Sequence, residues 1–307
     1  MIIDFHVHCF NDELAAKAVP QLAKGANIVA RLDGTLRSLK ESMKKAGVDK
    51  SVVLSIATKP SQTEKINSWT GIIQDDSIIG FGSIHPDNEN WKDELLKLKE
   101  NGIKGIKLHP DYQKFFVDDK KMYPIYELAV ELGLIVLFHA GVDIGLPEPY
   151  HANPERLRRV IDAFPEGKFV AAHMGGYSYW DEVEKYLVGT NFYFDTSYSL
   201  SFMDEAQARR IIDNHGYKKI LFATDSPWGD QSEEIQRIRE LALGYNLINK
   251  NNISLDINLF ARNILLWSAI DSFDPEVSQG NTNMSGAFER FSLPNTKSFG
   301  LGINFKF

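Results

Sequence analysis

Cysteine is almost absent from this chain of 307 residues: Cys9 is the single example, which excludes an intramolecular disulfide framework. No apolar run approaches the length of about 18 residues that a transmembrane helix needs, and the first run begins too early for a secretory signal. Lys and Arg number 34 against 41 Asp and Glu, and the net charge of -7 argues against a general nucleic-acid binder. We therefore expect a cytoplasmic protein with a small-molecule substrate and with neither a membrane nor a nucleic-acid partner.

Short apolar runs recur along the chain. There are eight of them: Ile2–His8, Ser51–Ala57, Ile78–Ile84, Gly105–His109, Leu134–His139, Lys168–His173, Asn191–Thr196 and Lys219–Asp225. Several are almost continuously apolar, which is typical of parallel strands that are covered on both faces. We therefore predict eight buried parallel strands.

Amphipathic helical patterns separate these runs and follow the last one. They cover Thr35–Ala46, Trp91–Glu100, Tyr123–Leu132, Pro154–Phe164, Asp181–Leu187, Met203–Asn214, Glu233–Leu243 and Ser254–Trp267. Eight strands that alternate with helices predict an α/β fold, a (β/α)8 barrel of the TIM type, over residues 1–267. A doubly wound open sheet is the competing architecture, but it more often has a glycine-rich phosphate loop after its first strand. Here that loop reads His-Val-His-Cys-Phe.

Histidines are concentrated at the ends of the predicted strands. Six of the eight lie there, namely His6, His8, His85, His109, His139 and His173. Barrel enzymes carry their catalytic groups at the C-terminal ends of the strands, where Lys107 and Asp225 are also expected. Since side chains alternate along a strand, His6 and His8 point into the same space.

A metal site is the chemistry that this pattern indicates. His6, His8, His139 and Asp225 form a plausible set of three nitrogens and one oxygen for one Zn²⁺ ion. Such an ion lowers the pKa of a bound water toward about 7. His173 suits a general acid or base, and the two oxygens of Asp225 allow it to be both ligand and proton shuttle. His85 and His109 are candidates for substrate contact or for support of the ligands, with plain loop structure as the alternative.

Five segments together resemble a known superfamily. They are Asp4-x-His6-x-His8, Gly105-Ile106-Lys107-Leu108-His109-Pro110, Phe138-His139-Ala140-Gly141, Ala172-His173-Met174-Gly175-Gly176 and Ala223-Thr224-Asp225-Ser226-Pro227. In this order they are similar to the amidohydrolase superfamily, and most of all to its amidohydrolase-2 branch, which includes aminocarboxymuconate-semialdehyde decarboxylase-like proteins. The resemblance implies a metal-dependent barrel enzyme, with His6, His8, His139 and Asp225 as ligands and His173 as a catalytic group.

Lys107 leaves the number of metal ions open. Some members of the superfamily carry a carboxylated lysine at the end of the fourth strand, which bridges two ions, and His173 would then become a ligand. The branch usually works with one metal, in which case Lys107 stays an ammonium group that meets a substrate carboxylate. We favour the arrangement with one metal.

Three functions compete at this point. The leading prediction is a hydrolase of C–N or C–O bonds in amides, esters or lactones, with metal-activated water as the nucleophile. The alternative is a metal-dependent, non-oxidative decarboxylase of a small carboxylate. A non-catalytic metal-binding barrel is a third reading, and a homodimer is left open.

Residues 268–307 differ in character from the barrel. They are rich in Ser, Asn and Gly, and the chain ends on a strictly alternating strand pattern from Phe299 to Phe307. This tail resembles the C-terminal end of TonB-dependent outer-membrane receptors, although it holds far too few strands for a membrane barrel. We predict an extra C-terminal tail ending in one β-strand, either a fusion scar or an edge strand that covers the barrel or a dimer seam.

Overall fold

Eight parallel strands form the barrel that the sequence predicts. They are β1 (Ile3–Val7), β2 (Lys50–Leu54), β3 (Ile78–Phe81), β4 (Gly105–Leu108), β5 (Ile135–Phe138), β6 (Lys168–Ala171), β7 (Tyr193–Asp195) and β8 (Ile220–Leu221). The structure is a computed structural model, and it describes residues 1–243, 254–261 and 299–306. The predicted TIM-type barrel is therefore confirmed, with every predicted strand present.

Two seams close the barrel. The strands pair in the orders β1-β2-β3 and β4-β5-β6-β7-β8. Between the two sheets, the Lys107 N–H donates a hydrogen bond to the Gly82 carbonyl at 2.8 Å. On the opposite side, the Phe5 N–H donates to the Phe222 carbonyl at 2.9 Å. These bonds close the ring of strands, so the C-terminal ends of β1, β4 and β8 lie at the same rim of the barrel.

Helices cover the outside of the barrel. They are α1 (Asp12–Ala26), α2 (Leu36–Ala46), α3 (Thr63–Ile72), α4 (Trp91–Glu100), α5 (Pro110–Gln113), α6 (Tyr123–Glu131), α7 (Pro154–Ala163), α8 (Trp180–Tyr186), α9 (Glu205–His215) and α10 (Gln231–Leu243). Several start at a side chain that caps a free backbone N–H, as Thr35 does for α2 and Asn153 for α7. The sequence prediction missed α1, whose interior Pro20 is a helix-breaking signal, as well as α3 and the short α5.

Alternation along the strands divides the core into two layers. One set of strand side chains, including Phe5, Leu54 and Leu137, fills the barrel interior. The opposite set, including Val136 and Phe138, packs against the surrounding helices. Both sets are almost fully buried, so the inward-facing residues at the upper end of each strand are held rigidly above a packed floor.

One predicted helix, the one after α10, is wrong. We expected a helix over Ser254–Trp267, but the chain forms strand β9 at Ser254–Ala261, which pairs antiparallel with β10 (Phe299–Lys306). The segment alternates apolar and polar residues with a period of two, which favours a strand over a helix. β10 agrees with the predicted strand of the tail.

Residues 262–298 and Phe307 lie outside the described residues. They include the end of the predicted helix and most of the predicted tail, so the domain boundary at 267 and the fusion-scar hypothesis stay predictions. Among the described residues, no helix has the length and apolar character needed to cross a membrane.

Candidate metal centre

Two histidines from the first strand face each other across a short gap. His6 lies in β1 and His8 follows its end, so both side chains point to the same side of the strand. Their Nε2 atoms lie 3.1 Å apart. The pair converges on one point at the C-terminal rim of the barrel.

Hydrogen bonds on the far side of each ring assign the position of its proton. His6 Nδ1 lies 2.9 Å from a carboxylate oxygen of Asp195, and His8 Nδ1 lies 2.9 Å from the Leu54 carbonyl oxygen. Both oxygens only accept, so each Nδ1 carries a hydrogen and each Nε2 presents a lone pair. Burial, and then the charge of Lys107, holds the pKa of His6 well below its usual range, which keeps this ring neutral.

Asp225 lies just beyond β8 and completes the group. Its Oδ1 is 3.4 Å from His6 Nε2 and 3.3 Å from His8 Nε2. Three electron-pair donors therefore face one another, and with these tautomers no proton lies between the two imidazoles. Divalent metal ions bind such sets of imidazole and carboxylate ligands, so these residues fit the metal that the sequence predicts.

The conformation of Asp225 ties this ligand to the first strand. Its φ is 62°, in the left-handed region that Asp tolerates better than most residues, and its N–H donates to the His6 carbonyl at 2.8 Å. The usual pKa of an aspartate carboxyl is about 4, far below neutral pH. The group is therefore an anionic ligand at neutral pH.

Lys107 is a fully buried cation beside the three ligands. It points into the barrel from β4, and its Nζ lies 3.4 Å from His6 Nε2. Burial lowers the pKa of Lys107 to about 8, against the opposing effect of the Asp195 and Asp225 carboxylates. Its ammonium form is thus maintained at neutral pH by the acidic groups around it.

His173 and His139 form a second pair of rings at the rim. His173 Nδ1 lies 2.9 Å from the Ser197 carbonyl oxygen, so it carries the hydrogen, and its Nε2 accepts from His139 Nδ1 at 3.1 Å. By elimination, His139 Nε2 presents a lone pair. That atom is buried and has no hydrogen-bond partner among the described residues.

The structure groups His139 differently from the predicted ligand set. Two groups of possible metal ligands lie at the rim. One contains His6, His8 and Asp225, and the other contains His109, His139 and Asp143. Within each group the ligand atoms are all within 4.8 Å of one another. The rings of His109 and His139 are stacked, with centroids 4.2 Å apart and planes inclined by 10°.

His85 lies apart from these residues. Its Nδ1 accepts a hydrogen bond from the Asp87 N–H at 3.1 Å, and it is not among the residues that line the cavity above the rim. Of the three readings left open for His85, loop structure is the one that its contacts favour.

A cavity of about 660 Å³ opens above the rim. His8, His109, His139, His173 and Asp225 line its floor. Apolar side chains from α1, α3 and the loops form much of its wall: Leu14, Leu22, Ile28, Ile56, Ile66, Trp69, Val142, Ile144 and Trp228. The cavity is therefore suited to a small ligand that combines an anionic or polar end with an apolar body.

Sequence reasoning missed three functional candidates. Asp195 and Ser197 hold the outer faces of His6 and His173, and Asp143 lines the cavity. Asp195 is the last residue of β7 and the next to last of the predicted run Asn191–Thr196, so the rule that pointed to Asp225 also applied to it. Asp143 lies in a loop and has no comparable signal.

Comparison with known families bears directly on this site. A family model described as amidohydrolase, of the amidohydrolase-2 type, matches residues 3–247. A search of curated proteins finds no significant sequence match.

Solved structures share the fold at low sequence identity. The 5-carboxyvanillate decarboxylase of Sphingomonas paucimobilis is 16% identical, with 78% of this chain and 92% of that chain covered and a TM-score of 0.57. An uncharacterised TIM-barrel protein of Bordetella bronchiseptica is 19% identical, with 77% and 90% covered and a TM-score of 0.62. A dihydroxybenzoic acid decarboxylase of Polaromonas, with bound manganese and the inhibitor 2-nitroresorcinol, is 16% identical, with 80% and 92% covered and a TM-score of 0.58.

These relatives correct the leading prediction of function. We expected a hydrolase, but of these three structures the two whose activity is stated are decarboxylases, which contradicts that reading. The predicted zinc has no counterpart in them either, since the metal named is manganese. The family match nevertheless covers the whole barrel and every strand end described above, and the chain therefore belongs to the amidohydrolase-2 family.

Proposed function

We propose that the protein is a metal-dependent, non-oxidative decarboxylase of a small carboxylate. One observation carries the proposal: the lone pairs of His6, His8 and Asp225 converge beside the buried Lys107, and His8 and Asp225 line the floor of a largely apolar cavity. A metal ion and an ammonium group together bind a carboxylate, and apolar walls accommodate the rest of its molecule. The decarboxylase relatives support the same choice.

One divalent ion per chain is part of this proposal. His6, His8 and Asp225 would hold it, and the predicted fourth ligand His139 lies at the same rim. When bound, the ion supplies a Lewis acid that neutralises negative charge on substrate oxygens. Mn²⁺ is the first ion to test because the related decarboxylase contains it, and Zn²⁺ is the second.

Lys107 would bind the substrate as a cation. Its Nζ is fully buried, and within hydrogen-bonding reach it has only the lone pair of His6 Nε2 among the described residues. Two of its three hydrogens are thus available to a carboxylate. This role requires the ammonium form, so it competes with carboxylation of the same nitrogen.

His173 would deliver the proton that replaces the carboxyl group. A proton is added to the carbon that carries the carboxylate, the carbon–carbon bond breaks, and its electron pair stays on that carbon as CO₂ leaves. The Ser197 carbonyl holds the Nδ1 hydrogen of His173 and leaves Nε2 as the atom that exchanges a proton. Because Nε2 is bare in the resting ring, it would first take up a proton from solvent and then pass that proton to the substrate carbon. His139 Nδ1 contacts the same Nε2 and would fix the ring until the substrate replaces that contact.

The decisive experiment is to measure CO₂ release by the Mn²⁺-loaded full chain from a panel of benzoates and hydroxybenzoates in D₂O. We expect one deuterium at the carbon that lost the carboxylate. In a parallel reaction in H₂¹⁸O, the decarboxylated product should contain no ¹⁸O. His173→Asn should reduce the rate by about 10²- to 10⁴-fold. His151→Gln is the matched control because His151 does not line the cavity. Hydrolysis of an ester or amide without CO₂ release would contradict the proposal.

A further inference from the structure

Helix α1 borders the cavity and lies outside the regular alternation of strands and helices. Five of its residues line the cavity wall: Leu14, Gln21, Leu22, Gly25 and Ala26. In a barrel of this type each strand is followed by a helix that packs on the sheet. After β1 that place belongs to α2, which buries Leu39 and Met43 in the core. α1 is therefore an additional helix in the first βα-loop, and it covers the cavity instead of the sheet.

No polar contact attaches this segment to the barrel. Within the described part of the chain, no hydrogen bond or ion pair joins residues 11–30 to a residue outside that range. The ends of α1 are capped from within the segment: the Asn11 side chain accepts from the Leu14 N–H, and the Ile28 N–H donates to the Ala23 carbonyl. The helix can therefore move away from the cavity as a unit without breaking any of these bonds.

The apolar contacts that attach α1 are concentrated near its first half. Only Ala15 and Val19 are buried, and a Cβ built on Gly34 would lie 2.5 Å from Val19 Cγ2, so Val19 packs directly on that glycine. The Phe10 N–H donates to the Gly34 carbonyl at 2.9 Å, which ties the two ends of the segment together. Residues 20–26 contain no buried side chain. Such low burial is typical of segments that open locally, so the second half of α1 is the free end.

The free end of α1 contacts the loop after β5. Ala26 faces Gly145: a Cβ built on Gly145 would lie 3.6 Å from the Ala26 Cβ. Both residues line the cavity, so their contact closes the wall between helix and loop. Because neither side chain exceeds a methyl group, the contact holds the helix only weakly. The chain is fixed again at Arg31, whose N–H donates to the Pro227 carbonyl at 2.7 Å.

We propose that α1 is a lid, which swings from the fixed points at Gly34 and Arg31 to admit a ligand and then closes against Gly145. Leu14 lines the cavity although it is 48% exposed, so an apolar ligand would bury it and favour the closed position. Closure excludes water from the polar floor of the cavity and thereby strengthens the electrostatic interactions there. The lid controls entry, and it is independent of the reaction that follows.

A disulfide across the free end tests the lid. The distance of 3.6 Å between the two Cβ positions suits a disulfide, for which about 3.5–4.5 Å is usual. In the full chain, Ala26→Cys/Gly145→Cys should therefore form this bond on oxidation with diamide and lose it on reduction with a phosphine. Cys9 is buried and does not compete. The reduced form of the same variant is the matched control, and diamide-treated wild-type protein controls for the oxidant.

Access to the cavity is measured with diethyl pyrocarbonate, a small electrophile that acylates unprotonated imidazole nitrogens. His8 and His173 line the floor, whereas His151 does not line the cavity and its side chain is 17% exposed. Mass spectrometry follows acylation of each histidine in the full chain freed of metal by chelation. In the oxidised variant, His8 and His173 should react at least about tenfold more slowly than in the reduced form, because opening to a minor state is blocked. His151 should react equally in both forms.

Spin labels measure the movement without the cross-link. Lys24→Cys on α1 and Ser68→Cys on α3 replace exposed residues on two helices that border the cavity. We expect this pair of labels to give two distance populations, one for the closed and one for the open lid. The control pair is Lys44→Cys on α2 with Ser68→Cys, which should give one population because α2 is packed on the core.

Three results would overturn the lid. Equal acylation of His8 and His173 in the oxidised and reduced variant would show that access does not depend on α1. A single distance for the Lys24 and Ser68 labels, as narrow as that of the control pair, would show that the helix is fixed. Failure of the disulfide to form would show that α1 does not close against Gly145.

Discussion

The Nε2 atoms of His6 and His8 lie 3.1 Å apart, and the bonds made by their Nδ1 atoms leave both without a hydrogen. Two lone pairs at this distance repel each other, and the Asp225 carboxylate adds further negative charge. The protein accepts this arrangement because Asp195 and the Leu54 carbonyl fix both rings from behind. The relationship points to a cation-binding site and leads to the first predictions.

Removal of one ligand should abolish metal binding. His6→Ala takes away one of the three converging donors, so metal content measured by mass spectrometry should fall from one ion per chain to a small fraction. Added Mn²⁺ should raise the Tm of the wild-type protein but not that of the variant. His151→Gln should behave as wild type in both measurements. Unchanged metal content in His6→Ala would exclude the proposed site.

Asp195 should control metal affinity without being a ligand. Its carboxylate accepts from His6 Nδ1 at 2.9 Å and from the backbone N–H of His173 at 3.0 Å, so it holds the His6 ring and the His173 backbone in position. We expect Asp195→Asn to weaken Mn²⁺ binding by about 10- to 100-fold, as loss of such outer partners does in other metal sites. Calorimetric titration with Mn²⁺ measures this change. An affinity within twofold of wild type would show that the carboxylate is not needed to orient His6.

Lys107→Met should separate the two roles that the sequence left open. If Lys107 is an ammonium group that binds substrate, the KM for the carboxylate rises strongly while the metal content stays at one ion per chain. Wild-type activity should then be independent of added bicarbonate. A carboxylated lysine predicts the reverse: two ions in the wild-type protein, fewer in the variant, and activation by bicarbonate.

Gly141 should be intolerant of a side chain. Its φ is 85°, and a Cβ there would lie 2.2 Å from the Tyr177 backbone nitrogen. Gly141 and Tyr177 form an isolated parallel bridge outside the strands. Gly47 is the matched control because its φ of 73° is similar but no atom lies within 4 Å of an added Cβ. We expect Gly141→Ala to lower the free energy of unfolding by about 2–3 kcal/mol more than Gly47→Ala. Denaturant unfolding measures both, and equal losses would contradict the crowding.

His215 should make the fold sensitive to acid. Burial lowers the pKa of His215 to about 4, with partial compensation from the bond that its Nε2 donates to the Phe192 carbonyl. Because the folded pKa lies below the unfolded value of about 6.5, the unfolded chain takes up this proton first, and stability falls as the pH drops from about 6.5 to 4.

His215→Phe keeps the stack on Phe194 but removes this titration. Its free energy of unfolding should be lower than that of wild type at neutral pH, since two hydrogen bonds are lost. When the pH is lowered from neutral to about 5, the free energy of unfolding of the variant should decrease by about 2 kcal/mol less than that of the wild-type protein. Unfolding curves at both pH values measure the difference, and parallel losses in the two proteins would exclude His215 as the cause.

Much of the fold was predictable because its signals are local. The eight apolar runs and most helices follow from hydrophobic periodicity within about ten residues. Pro20 concealed α1, since a proline in a helix interior normally ends it. The segment at Ser254–Ala261 was read with the wrong period, and its alternation formed a strand.

The candidate site was predictable only in part. Strand alternation brought His6 and His8 together, and the position of Asp225 at a strand end brought it to the same rim. The same reasoning did not separate His85, whose Nδ1 accepts a hydrogen bond from the Asp87 N–H, from the histidines of the rim. It also left out Asp143, which reaches the cavity from a loop whose path no periodicity describes.

The sequence by itself determined the family, the barrel and the rim at which the polar groups gather, because these depend on spacings along the chain. Only the tertiary structure decided which nitrogen of each histidine is bare, that His139 lies with His109 and Asp143, and that Asp195 supports the centre. The physical reason is that a ring's proton is placed by its hydrogen-bond partner, and that partner is often remote. For His6 it is 189 residues away, so no local pattern contains it.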